Sequence, residues 1–287
     1  MRTLAVILRV VLVGLTVVLG GAGVASAQVW DVPQKYQEMD YWCWAACMES
    51  ILTYYAHPAT QTEIAQYGTG GVNTWNYSYG SGTEGGIYRR GCDLILDHFA
   101  NIQTITNSIP LPLDTVQVEM TEGRPIVVVW SWDYGGGHAV VFRGLSDGMA
   151  YLMDPWSGPT MNTFSWTEQG GHHTWEHSVR LTTFPSWDAG YSDLGGGWRR
   201  ASGFGDYVPM GSDGWIWHNQ HGFYFMPAAD TPSKMWMYSQ DMGWLWTGRT
   251  TYPYLYRASD GAWLWYNGAT NPRWFRNMTA NTWESWP

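Results

Sequence analysis

The chain is short of cysteine, short of positive charge and, past its first 20 residues, without a long apolar run. Against 24 Asp and Glu it carries 15 Lys and Arg. Arg2 and Arg9 fall in what reads as a removable leader, so no basic patch is left, which argues against nucleic acid or anionic lipid as a partner. No stretch after the leader is apolar for long enough to cross a bilayer. The three cysteines, Cys43, Cys47 and Cys92, are an odd number, so in an oxidising compartment at least one lacks an intramolecular partner.

The leader is residues 1–27. Arg2 and Arg9 flank the start of an apolar run, Val10 to Leu19, which Gly20-Gly21 interrupts before Ala25-Ser-Ala27. A positive segment, a short apolar segment and an A-x-A site predict a signal peptide cleaved before Gln28, and an exported, soluble product that is secreted, periplasmic or at the cell surface. What the chain has in abundance is aromatic: 21 Trp, of which twelve lie at or after Trp187.

The stretch Gln37 to Tyr55 organises the first half. Trp44, Cys47, Met48, Ile51, Leu52 and Tyr55 fall on one face of a helix, so Cys43 sits at its start, where unpaired N–H groups and the positive dipole end favour a thiolate. A Cys47–Cys92 disulfide with Cys43 free is the economical pairing. Cys43–Cys47 is the alternative, though consecutive helix turns hold the Cβ vectors near-parallel at about 6 Å between Cα atoms.

Further along, Thr60-Gln-Thr-Glu63 is a capping box that opens a short helix. Residues 68–91, rich in Gly, Tyr and Ser, read as a long loop. Cys92 to Phe99 has a helical apolar face, and Asp114 is expected to cap another helix ending near Gly123. Then the period changes. Pro125 to Trp130 is a β-branched run, and His138–Arg143 and Met149–Met153 read as antiparallel strands joined by a turn at Ser146-Asp-Gly148. Glu176 to Thr182 is a candidate last strand. Helices first and strands second predict an α+β domain.

Past a Gly-rich joint, the tail repeats aromatic-x-aromatic, polar turn, aromatic-x-aromatic. Trp215-Ile-Trp217, Trp236-Met-Tyr238, Tyr254-Leu-Tyr256 and Trp274-Phe275 open units 21, 18 and 20 residues apart. The pattern predicts an all-β array of hairpins in which most aromatics are buried against neighbouring units. A sharper reading leaves some of them exposed as a platform for sugars or cationic head groups.

Acyl transfer by a thiol needs a base, a group that orients the base, and oxyanion donors. His138 follows Gly135-Gly-Gly137, where glycines permit close approach, and starts one strand; Asp154 ends the next. If those strands pair antiparallel, imidazole and carboxylate are neighbours. Each residue alone is equally a turn His or a capping Asp. Together, Gln37 six before Cys43, Cys43-Trp-Ala-Ala46, Gly123-Arg-Pro-Ile126, Gly137-His138-Ala-Val140 and Asp154-Pro-Trp156 resemble the papain-like cysteine peptidases, above all the compact bacterial branch related to bacteriocin-processing peptidases.

The resemblance covers roughly residues 30–180 and implies a papain-like fold. It implies Cys43 as nucleophile, His138 as general base and then acid, and Asp154 as the group holding the imidazole. It further implies Gln37, with the Cys43 backbone N–H, as the oxyanion hole, and Trp156 as the cover over the His–Asp bond. The expected organisation is residues 28–183 as a papain-like domain, 184–197 as the joint and 198–287 as an aromatic hairpin-repeat domain. No cofactor or metal is expected: His173 and His177 have i,i+4 spacing, but no third ligand is evident near His172. Only 15 residues separate the expected cleavage site from Cys43. A long papain-type propeptide is therefore not expected, and control falls to a narrow cleft, an absent substrate or the tail. The expected substrate is a peptide or protein, with cell-surface polysaccharide a partner for the aromatic tail. The competing readings are a Cys/His/Asp amidase or acyltransferase acting on peptidoglycan or small amides, and an inactive surface-binding protein.

Overall fold

The structure, a computed structural model, describes residues 28–287; the leader and its cleavage site lie outside them. Helix α1 spans Cys43–Tyr54, with Ala45, Cys47, Met48, Ile51, Leu52 and Tyr54 fully enclosed. Burial of each large apolar chain there is worth roughly 1.5–3 kcal/mol. Helix α2 (Gln61–Thr69) opens on the anticipated capping box: Thr60 accepts from the Glu63 N–H, and the Glu63 carboxylate reaches back to the Thr60 N–H. It stops at Gly70, whose left-handed φ of 66° suits a residue without Cβ. Helices α3 (Cys92–Ala100) and α4 (Leu113–Thr121) complete the helical side. Pro112, not Asp114, is the N-cap of α4; Asp114 lies in its first turn, where a carboxylate favours the dipole.

These helices pack on an antiparallel sheet. Its main path runs Thr104–Asn107, His173–Leu181, Ile126–Trp132, Gly137–Ser146, Met149–Asp154, Gly158–Thr163. Ile126–Val128 and Ala139–Phe142 are buried, which is why the central strands read as continuous apolar runs. Asp147 and Gly148, with φ of 51° and 74°, make the two-residue turn between the strands that carry His138 and Asp154. Within residues 68–91, a small hairpin pairs Ser81–Glu84 with Ile87–Arg90, where sequence periodicity showed only loop.

The second body is an eleven-stranded antiparallel meander from Ser192 to Trp286. Its first strand, Ser192–Gly195, lies inside the stretch expected to be a joint. The hairpins are present, but their faces are the reverse of the expectation. The residue between each pair of aromatics points inward: Ile216, Tyr224, Met237, Leu245, Leu255 and Leu264, joined by Phe275 of the last pair, form the core. Trp217, Phe223, Trp236, Trp244, Tyr254, Trp263, Trp274 and Trp283 are exposed on the other face. Both alternating sets are apolar, and the more compact aliphatic set dominates the packed interior.

The two bodies touch. The Arg249 guanidinium donates to the carbonyls of Trp187 (3.1 Å) and Ala189 (2.5 Å) and lies over Trp30. Lys234 pairs with Glu122 at 3.0 Å, and the Gly190 N–H donates to the Tyr54 carbonyl at the end of α1. Cys43 is at the other end of that helix, about 16 Å away at 1.5 Å per residue, so this contact leaves the helix start uncovered. Among the described residues no helix is long and apolar enough to cross a membrane.

Candidate active site

Cys43 is the first residue of α1 and is partly exposed. Its neighbours hold it in place. Trp42 and Trp44 are buried, and their indole N–H groups donate to the carbonyls of Val72 (3.3 Å) and Thr74 (3.0 Å). The N-cap, Trp42, offers no side-chain cap, so no capping side chain takes the N–H of partly exposed Cys43.

His138 and Asp154 meet as the strand pairing requires. Val141 is opposite Met153, which makes His138 a diagonal neighbour of Asp154 on one sheet face. The His138 Nε2 lies 2.7 Å from Asp154 Oδ1, and the Trp156 N–H donates to the same oxygen at 2.8 Å. Nε2 being taken by Asp154, Nδ1 is the ring nitrogen left for a thiol, and Cys43 is close enough to favour the charge on the ring. Burial works against the imidazolium, but the Asp154 bond and then Cys43 outweigh it and raise the ring to about 9. For Asp154, burial alone would raise the carboxyl; the His138 bond and charge, helped by the Trp156 and Ser157 N–H groups, leave it below the usual value. The imidazole is thus charged at neutral pH, beside the sulfur.

Gly137 has a reason other than access for the substrate or the helix. A Cβ there would stand 2.5 Å from the Trp130 carbonyl on the paired strand. Only glycine lets the two strands close up just before His138.

Gln37 reaches the site through its backbone, whose N–H donates to the Pro155 carbonyl (3.0 Å) beside Asp154. Its amide nitrogen is 3.0 Å from the Met39 carbonyl and 2.8 Å from that of Asp40, and its Oε1 is enclosed without a partner. The backbone of Gln37 is therefore tied to the Asp154 turn, while its side-chain amide is engaged by its own turn. Trp156 stands edge-on to His138 at 6.4 Å between ring centres, yet is 69% exposed. Closer cover comes from residues that sequence reasoning passed over. Trp130 is directly opposite His138 in the strand pairing, with ring centres 6.1 Å apart, and Trp132 stacks at 6.3 Å. Gln34, which donates to the Asp154 carbonyl at 2.8 Å, was also missed. The Trp130-x-Trp132 alternation beside His138 was the available signal for the first two.

The expected Cys47–Cys92 disulfide is not formed: all three cysteines are free. Cys47 and Cys92 lie in the apolar core, at 0% and 1% exposure, where burial pushes both thiols well up and keeps them neutral. His173 is on a strand, buried, and bonded to the Trp166 carbonyl while stacked on Trp130. Among the described residues no group of three or more His, Cys, Asp or Glu is placed to hold a metal ion.

A thiol at a helix start, an imidazole beside it and a buried carboxylate behind the ring define a papain-like cysteine peptidase, a hydrolase. The profile of the Peptidase_C39 like family matches residues 29–182, more than half of the chain, and the chain belongs to that family. Two solved structures are similar. One is described as a C39-like peptidase from Bacillus anthracis: 15% identity, TM-score 0.40, covering 55% of this chain and 98% of that one. The other is a double-glycine-motif protease from an AMS/PCAT transporter in complex with its leader peptide: 16% identity, TM-score 0.35, covering 53% and 92%. No curated protein matches the chain.

Proposed function

We propose that the mature chain is an exported peptidase that cleaves peptide bonds through a Cys43/His138/Asp154 acyl-enzyme mechanism, with residues 28–183 as its catalytic unit. The Cys43 sulfur attacks the scissile carbonyl carbon, forming an S–C bond while the carbonyl oxygen takes up negative charge. The open Cys43 N–H and the Gln37 amide receive that oxyanion. His138 passes its proton to the leaving amine as the C–N bond breaks, giving a thioester. It then takes a proton from water, which attacks the thioester and releases the acid. Asp154 holds the ring with Nδ1 toward sulfur and stabilises its charge. The leader supports export, and residues 198–287 serve as an attachment unit through their exposed aromatics.

The observation that carries the catalytic reading is the buried His138–Asp154 bond of 2.7 Å, with Cys43 at the helix start among the groups that favour the charged ring. The test is turnover of a peptide library by the mature protein, with isolated cell wall as the competing substrate. Peptide products that vanish with Cys43→Ala are expected; release of wall fragments alone would shift the substrate to peptidoglycan.

A further inference from the structure

On the aromatic face of the meander a cleft of about 510 Å3 opens, lined among others by Asp230, Lys234, Trp236, Trp244 and Trp246. Trp236 and Trp246 are directly opposite one another in paired strands, and Trp244 lies two residues from Trp246 on the same strand and face. At its wall is Asp230, 7% exposed, with an Oδ2 that is enclosed and has no hydrogen-bond partner. Burial lifts this carboxyl to about 6, against one opposing backbone bond from Trp236. A buried acceptor without a donor is a standing cost to the fold, and Asp230 is one of the residues lining this hollow of tryptophans. Lys234, held by Glu122 at 3.0 and 3.1 Å, supplies donors on the same cleft.

We propose that this cleft binds a neutral pyranose unit of a glycan, its C–H face stacked on the tryptophans and a ring hydroxyl donating to the Asp230 carboxylate. The proposal deepens the reading of residues 198–287 as an attachment unit and rests on it. A sugar ring presents apolar faces, donors and acceptors together, which matches tryptophan, carboxylate and ammonium in one wall. The rival occupant of an aromatic cleft is a quaternary ammonium, which offers no hydroxyl donor to Asp230 and which the choline arm of the test below distinguishes. The row through Trp236 continues across the sheet as Trp246, Tyr256 and Trp263. Strands 4.7–4.9 Å apart put alternate rings of that row about 10 Å apart, close to the advance of a disaccharide in an extended glycan.

The test is calorimetry and tryptophan-fluorescence titration of the mature protein with chitohexaose, cellohexaose and choline chloride. Saturable binding of a hexasaccharide is expected, weakened at least tenfold by Trp244→Ala and by Asp230→Ala and unchanged by Trp283→Ala on the last strand. Near-UV circular dichroism and unchanged peptide turnover report that the variants are folded. Saturable binding of choline with none of either sugar overturns the ligand. Sugar binding that survives both cleft substitutions but falls with Trp283→Ala overturns the cleft while leaving the attachment reading intact. Absence of binding by all three probes overturns the proposal, and attachment to intact cell wall then tests the broader reading separately.

Discussion

Replacing Asp154 by Asn keeps the shape of the site and removes the charge behind His138. Burial alone would hold the imidazole below its ordinary 6.5, yet it stands at about 9, the Asp154 bond raising it more than Cys43 does. Loss of the carboxylate charge should lower the ring by about 1–2 units, equivalent to about 1.4–3 kcal/mol of lost imidazolium stabilisation. The alkaline limb of kcat/KM reports this group in the free enzyme. On a fluorogenic peptide it should lie near pH 9 in the parent protein and 1–2 units lower in Asp154→Asn, with turnover at pH 8 down about two- to tenfold from the lost proton alone. Stability follows the same bond. A raised imidazole contributes stability fully below 6.5 and loses it as pH rises through about 9. A depressed carboxyl contributes above 3.8 and loses that as pH falls through its folded value. The pair is one interaction, so its contribution is a single plateau between those limits and should be missing from melting curves of the variant. An alkaline limb that stays near 9 in Asp154→Asn would refute the reasoning.

Gln37→Ala should lower kcat about 10–100-fold with little change in KM, below the usual 10²–10³ for an oxyanion donor because its amide must first give up a bond to its own turn; steady-state kinetics check this. Gly137→Ala drives a methyl against the Trp130 carbonyl and should displace His138, cutting turnover at least tenfold; the histidine ring signals in NMR would move with it. Asp230→Asn should stabilise the protein by about 1–3 kcal/mol at pH 7.5 and not at pH 3.5. The sign follows from a carboxyl raised from 3.8 to about 6, whose folded-state contribution is lost as pH rises through 6; denaturant midpoints at the two pH values measure it.

Much of the peptidase domain was legible because its signals are local. The Thr60–Glu63 box, the apolar face of α1 and the Asp147-Gly148 turn each declare themselves within a few residues, and the turn alone aligns the strands of His138 and Asp154. What failed depended on partners distant in sequence. The need for Gly137 comes from a carbonyl on another strand, and the free state of Cys47 and Cys92 from the core around them. In the tail, alternation says which side chains share a face and not which face is wet. The in-between residues, Ile216, Met237, Leu245, Leu255 and Leu264, were the warning, being as apolar as the aromatics they separate.

The central claim is that the sulfur of Cys43, alone among the three, is the reactive one. Intact-mass analysis after treatment of the native protein with a thiol-directed peptide inhibitor tests it most directly. One adduct is expected, on Cys43, with peptide turnover lost in step and with three alkylated cysteines after denaturation without reductant. Peptide hydrolysis undiminished in Cys43→Ala, or label on Cys47 or Cys92 with Cys43 untouched, would contradict the account.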